Sequence, residues 1–213
     1  MEITDIQVFG MSQTKDSLTT EQVDSILATF EVGEYDIPLL DISKQLTKVT
    51  NPMAWGDVAR SNFHNGLYFF YIPDYKFYNL IKRPMKLIDS GCYGIIEPNF
   101  STNEDMPKAI ALYYIYHKRA IARLCQHFGI EVAVDVCTDP KFYDIALLGV
   151  PTGWRSYATR GYNRYQGDTV KEFERAVRHA GTDDITFIVY GGGKEVSRMA
   201  ERCGWLYLPE KKT

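Results

Sequence analysis

The sequence predicts an α/β fold of alternating β/α units around a mainly parallel sheet. A compact (β/α)8-barrel-like arrangement is favoured over an open doubly wound sheet. Two observations carry this. Short β-prone runs alternate with helical patterns along the 213 residues. Several of the helical patterns end at glycines (Gly149, Gly181, Gly204) suited to a left-handed cap and a short link into the next strand. Counted generously, there are about eight strands and about seven helices, in a chain somewhat shorter than the usual barrel of about 250 residues. No linker, internal repeat or low-complexity tract interrupts the alternation, so one domain over residues 1–213 is expected.

The elements follow in order. "IQVF" (from Ile6) reads as the first strand. "TTEQVDSILATF" is a helix with Thr19 or Thr20 as N-cap and Val23, Ile26, Leu27 and Phe30 as its apolar stripe. "IPLLDI", from Ile37, reads as a strand, and "KVTNPMAWGDVARSNFHNG" as the loop before the strand "LYFFYI". "PDYKFYNLIKRPMKLIDSG" is helical, broken at Pro84, and leads to the strand "YGIIEP". The clearest helix opens at "NEDMP" and runs to Phe128. Its N-cap is Asp105, Pro107 lies in its first turn, and Ile110, Tyr113, Tyr114, His117, Ile121, Leu124, Cys125 and Phe128 form one face. After Gly129, "IEVAVDV" is a buried strand. "DPKFYDIALLG", "DTVKEFERAVRHAG" and "GKEVSRMAERCG" are helices leading to the strands "WRSYA", "ITFIVY" and "WLYLP".

Composition narrows the function classes. The hydrophobic share of 45% and charged share of 24% are those of a globular protein with material for a sizeable core. A formal net charge of −3 argues against a nucleic-acid footprint over the whole surface. No apolar run of about 18 residues and no signal-peptide pattern is present, so a cytoplasmic protein without membrane association is expected. Cys92, Cys125, Cys137 and Cys203 form no CxxC pair, and the histidines have no metal-ligand spacing, which disfavours zinc. The 15 tyrosines supply surfaces that are apolar with a polar tip, suited to a pocket or a core margin.

In both architectures ligands bind at the carboxyl ends of the strands. Reading those ends gives Asp74; Glu97, Asn99, Ser101 and Asp105; Asp135; Arg160 and Tyr162; and Gly191, Gly192, Gly193 and Lys194. Glu97, Asp135 and Asp105 are the candidate acid–base groups or ligands of a divalent metal such as magnesium. Each has a plainer role: Asp74, Asp105 and Asp139 as helix caps, Glu97 and Asp135 in internal ion pairs with Arg119, Arg155 or Arg160. "GGGK" lacks the GxxxxGK[ST] form of a P-loop. Glycines before a helix can still present backbone N–H groups to a phosphate, with Lys194 and Arg160 adding charge. Alternatively the stretch is only a tight turn.

"LYFFYIPDYKFYNLIKRP", "GIIEPNFSTNEDMP", "YIYHKRAI" and the late "FIVYGG" together resemble the DUF4417 family. Its members carry an "HFF-x-DDYRFE" segment, a "SPDFS-x-YxDMP" segment, a "TYRNRW" helix and an "IVYGK" strand. Asp74, Pro98, Phe100, Ser101, Asp105, Met106, Pro107, Tyr116, Arg119, Tyr190 and Gly191 match this pattern, from roughly Trp55 to Gly191. Glu97 stands where the family has serine, and Asn99 where it has aspartate, so a shared carboxylate role at 99 is lost. The resemblance implies a phage or mobile-element setting and no known activity.

Two functions are consistent with these features. One is binding, with or without turnover, of a small anionic, phosphate-bearing, nucleotide-like ligand at the strand ends, using Asp74, Asn99, Ser101, Arg119, Arg160, Tyr162, the glycines and Lys194. The other is a non-catalytic protein-interaction or single-stranded nucleic-acid module that uses "RGYNR" and its neighbouring tyrosines.

Overall fold

The computed structural model describes residues 18–56, 65–162 and 166–210. Seven strands form one sheet in chain order: β1 (Pro52–Ala54), β2 (Leu67–Phe69), β3 (Gly94–Ile96), β4 (Glu131–Asp135), β5 (Ser156–Arg160), β6 (Thr186–Tyr190) and β7 (Leu206–Leu208). Every adjacent pair is parallel, so each link must cross back over the sheet. The crossovers include α2 (Met85–Ile88) between β2 and β3, α3 (Lys108–His127) between β3 and β4, α4 (Gln166–Ala180) between β5 and β6, and α5 (Gly193–Cys203) between β6 and β7. The sheet nearly closes into a barrel. Phe69 of the second strand and Tyr71 just beyond it meet Tyr190 of the sixth across the interior, with ring centroids 4.7 and 5.5 Å apart.

The two-residue period of the strands sorts side chains into two cores. Leu67, Phe69, Ile96, Ala133, Ala158, Ile188 and Leu208 fill the barrel. Tyr68, Phe70, Ile95, Val132, Val134, Tyr157, Phe187 and Val189 point outward into the helical layer. Among the described residues, no helix is long and apolar enough to cross a membrane.

The expected strand "IQVF" lies outside the described residues. "IPLLDI" is not a strand. Its backbone groups go to other partners: Val32 bridges Pro38, and the Leu40 amide donates to the Gly149 carbonyl at 2.9 Å. Just beyond it, the Leu46 amide donates to Val132, and the Leu46 side chain plugs the barrel floor. The plug explains Gly94, where a Cβ would stand 2.6 Å from Leu46 Cδ1. β1 instead comes from the stretch read as a loop. α1 (Thr20–Leu27) has the expected cap at Thr19, in a reciprocal capping box with Gln22. "DPKFYDIALLG" forms one helical turn (Pro140–Phe142) and a run of turns rather than a full helix.

α3 departs from its expected start and from part of its expected face, of which Ile121, Leu124 and Cys125 are buried as expected. It begins at Lys108 with Pro107 in the N-cap position and no side-chain cap, and Asp105 is exposed in the preceding loop. Ile110 and Tyr113 are exposed, whereas Ala111, Ile115, Lys118, Arg119 and Ala122 face the barrel. The helix turns its basic residues inward because the sheet buries two carboxylates beneath it.

Candidate functional site

Those carboxylates are Glu97, just past β3, and Asp135, at the end of β4; both are fully buried. Arg119, equally buried, ion-pairs with Glu97 Oε2 and donates to the carbonyls of Leu148 and Ala146, each at 2.8 Å. The same Glu97 oxygen accepts from the Asp135 amide at 3.1 Å. Asp135 is held from four sides. Tyr71 Oη donates to Oδ1 at 3.1 Å, Asn99 Nδ2 to Oδ2 at 3.0 Å and Lys118 Nζ to Oδ2 at 3.1 Å, while the Cys137 amide donates to Oδ1 at 3.3 Å. A buried charge persists when it is paired and its lone pairs are occupied. The network ties α3 to β2, β3 and β4. Neither carboxylate lines the adjoining cavity.

That cavity, of about 370 Å³, opens at the carboxyl ends of β3, β4 and β5. Of the strand-end candidates, Asn99, Ser101, Arg160 and Tyr162 line it. Asp74 stands behind Ser101, accepting from its amide at 3.0 Å and its hydroxyl at 2.9 Å. Asp139 also lines the cavity and accepts from the Lys141 amide, capping the turn that follows. Asp105, Arg119, Gly191, Gly192, Gly193 and Lys194 are not part of the lining.

The glycine loop has a packing reason of its own. All three residues have positive φ. A Cβ on Gly192 would lie 2.6 Å from Val196 and 2.8 Å from the Gly161 backbone, and one on Gly191 would lie 2.6 Å from Glu210 Oε1. The loop therefore passes close to the end of β5 and carries a carboxylate against its first glycine. Lys194 is exposed.

The sequence reading missed the residues that α4 contributes. Asp168, Thr169 and Glu172 line the cavity, together with Thr102, Cys137 and Thr138 from the loops beyond β3 and β4. Glu172 is buried, accepts from the Thr159 hydroxyl and makes no ion pair among the described residues. Burial pushes its carboxyl up to about 8; the Thr159 and Thr138 hydrogen bonds act against this, and Asp135 adds to it. It therefore stays mostly protonated at neutral pH. Among the described residues, Thr169 Oγ1 is buried without a hydrogen-bond partner, as is Arg160 Nε. The Arg160 guanidinium lies 5.4 Å from the Tyr162 ring centroid and 3.7 Å from the Glu210 carboxylate. Burial, reinforced by Glu172 and Asp135, pushes the Cys137 thiol up to about 12, which leaves it a poor nucleophile. Of the tyrosine-interleaved "RGYNR", Asn163 and Arg164 lie outside the described residues.

One signal could have revealed Thr169 and Glu172. The buried stripe of α4 runs through Ala176 and Ala180, and counting back in steps of three and four reaches Phe173, Glu172 and Thr169. Polar residues on a sheet-facing stripe indicate a polar surface opposite them.

Comparison with known proteins gives a family. A family model described as "Domain of unknown function (DUF4417)" matches residues 30–191. The "Gene 1 protein" of Mycobacterium phage L5 is 31% identical over 132 residues, 59% of this chain and 57% of that protein. The "Gene 1 protein" of Mycobacterium phage D29 is 28% identical over 125 residues, 56% of this chain and 46% of that protein. The chain thus spans about half the length of the curated relatives it matches. No solved structure matches.

Proposed function

We propose that this chain, which belongs to the DUF4417 family, binds a small phosphate-bearing, nucleotide-like ligand in the cavity beyond β3, β4 and β5. Its relatives in two mycobacteriophages fit a phage-associated role for such binding. The observation that carries the reading is the pairing of Arg160 with Tyr162 on the cavity wall, with Arg160 Nε buried and unpartnered. A guanidinium with a free donor suits an anionic oxygen, and a half-exposed ring beside it offers a face for a base. The volume lies within the range of small-molecule pockets, roughly 300–1,000 Å³. The hydroxyls of Ser101, Thr102, Thr138 and Thr169 supply further polar contacts.

A thermal-shift and calorimetric panel of nucleoside mono-, di- and triphosphates, with and without magnesium, tests this. A ligand present at about 100 times its Kd adds about 2.7 kcal/mol of stability. At least one nucleotide is expected to raise Tm, and Arg160→Ala is expected to weaken its binding about tenfold or more. Absence of any shift across the panel would overturn the reading.

A further inference from the structure

We infer that the anionic group of the ligand is held at the first two turns of α4, by the Thr169 hydroxyl and by Glu172 acting as a neutral hydrogen-bond donor. The Glu172–anion pair then shares one proton. This rests on the reading that the cavity beyond β3, β4 and β5 is the ligand site, and it assigns the group within that cavity that meets the charge.

Thr169 is 1% exposed, lines the cavity and has no partner for Oγ1 among the described residues. A hydroxyl buried without a hydrogen bond is costly unless something else occupies it. Glu172 follows three residues later, on the same face of the helix. α4 is 15 residues long, and the dipole of a helix of that length favours negative charge at its N-terminal end. An ionised Glu172 would repel an anion there, whereas a protonated one donates to it.

The surroundings of Glu172 favour the protonated form. Burial and the Asp135 carboxylate at the end of β4 oppose a negative charge there, as does Asp168 one turn earlier on α4, while Cys137, Tyr143 and Tyr71 nearby are held neutral. Arg160 and Tyr162 face it from the end of β5. Arg175, one turn along α4, is engaged elsewhere. Its guanidinium covers the Tyr143 ring at 4.1 Å, and Nη2 donates to the Tyr143 carbonyl at 2.9 Å. The Thr159 hydroxyl takes one acceptor position of the carboxyl, leaving its proton for the ligand.

The test compares anions that differ in whether they bring a proton. Sulfate and AMP are acceptor-only above neutral pH, whereas inorganic phosphate keeps one proton. Binding of each to the full chain is measured by calorimetry from about pH 6 to about pH 10, either side of the Glu172 titration. Sulfate and AMP are expected to lose about tenfold in affinity per pH unit above about pH 8, with phosphate holding. Glu172→Gln, whose amide still donates, is expected to bind sulfate and AMP with no such pH dependence. Thr169→Val is expected to weaken all three about five- to tenfold and to keep the pH profile.

A flat sulfate and AMP profile in the parent protein, or a Glu172→Gln variant that keeps the parent profile, overturns the inference and leaves the cavity reading standing. Sulfate and phosphate binding as described, with no nucleoside mono-, di- or triphosphate bound, upholds the anion subsite and removes the nucleotide reading. No binding of sulfate, phosphate or any nucleotide removes both.

Discussion

Replacing Arg119 with Met removes the cation that, among the described residues, pairs with Glu97, and it leaves a carboxylate buried in the layer between α3 and the sheet. Arg119 is fully buried and serves Glu97 Oε2 and the carbonyls of Leu148 and Ala146. Glu97 Oε1 has no partner, so the second oxygen cannot compensate. Stranding a buried charge costs about 3–5 kcal/mol, and two carbonyls without donors add about 1 kcal/mol each, partly relieved by relaxation. The expected loss is about 5 kcal/mol, a large part of the 5–15 kcal/mol that holds a typical domain together. Urea unfolding followed by far-UV circular dichroism should show the midpoint falling by about 2 M. The double variant Glu97→Gln/Arg119→Met, which removes both charges, should recover about 2 kcal/mol. A single-variant loss below about 1 kcal/mol, or a double variant no more stable than the single, would refute the claim that this pair is buried and mutually dependent.

Glu172 makes stability depend on pH. Its folded value of about 8 lies above the ordinary 4.5, so the native state binds the extra proton between those values, and stability falls as pH rises through that window. The full effect is at most about 5 kcal/mol. Burial lowers His117 and His179, which act oppositely up to about pH 6.5, so the decline between about pH 7 and about pH 8 belongs mainly to Glu172. Urea midpoints across that interval should fall in the parent protein and stay level in Glu172→Gln. In the glycine loop, Gly192→Ala combines a positive φ with contacts of 2.6 and 2.8 Å, whereas a Cβ on Gly193 meets open space. Calorimetry should therefore show Tm lower by roughly 8 °C for the first and roughly 3 °C for the second; equal shifts would mean the close approach to Gly161 is not real.

The alternation of strands and helices was legible because each β/α unit carries its own local punctuation, as Gly181 and Gly204 do after α4 and α5. The first half of the sheet was harder to read. "IPLLDI" has the composition of a strand, yet its backbone pairs with Gly149, with the Gln126 side chain and with its own flanking chain, and the two distant partners are encoded by no local pattern. β1 is three residues long and opens on a proline, too short to stand out from a loop. The C-terminal part of the α3 stripe (Ile121, Leu124, Cys125) was legible, whereas its buried Lys118 and Arg119 look like solvent residues until Asp135 and Glu97 are known to lie beneath them. At the strand ends, Arg160, Tyr162, Asn99 and Ser101 were visible from position alone. Glu172 was not, since a glutamate on an amphipathic helix reads as exposed until tertiary packing fixes the helix's rotation. The three glycines drew attention as a phosphate cradle or a tight turn, and close packing against Glu210, Val196 and Gly161 gives Gly191 and Gly192 a structural reason of their own.

The most direct test of ligand binding in this cavity is a crystal structure of the protein soaked with AMP at about pH 6.5, below the Glu172 titration. The account expects the phosphate beside Thr169 Oγ1 and the Glu172 carboxyl, within reach of Arg160, with the base against Tyr162. Nucleotide density at Gly191–Lys194 with this cavity empty, or no bound nucleotide at all, would contradict it.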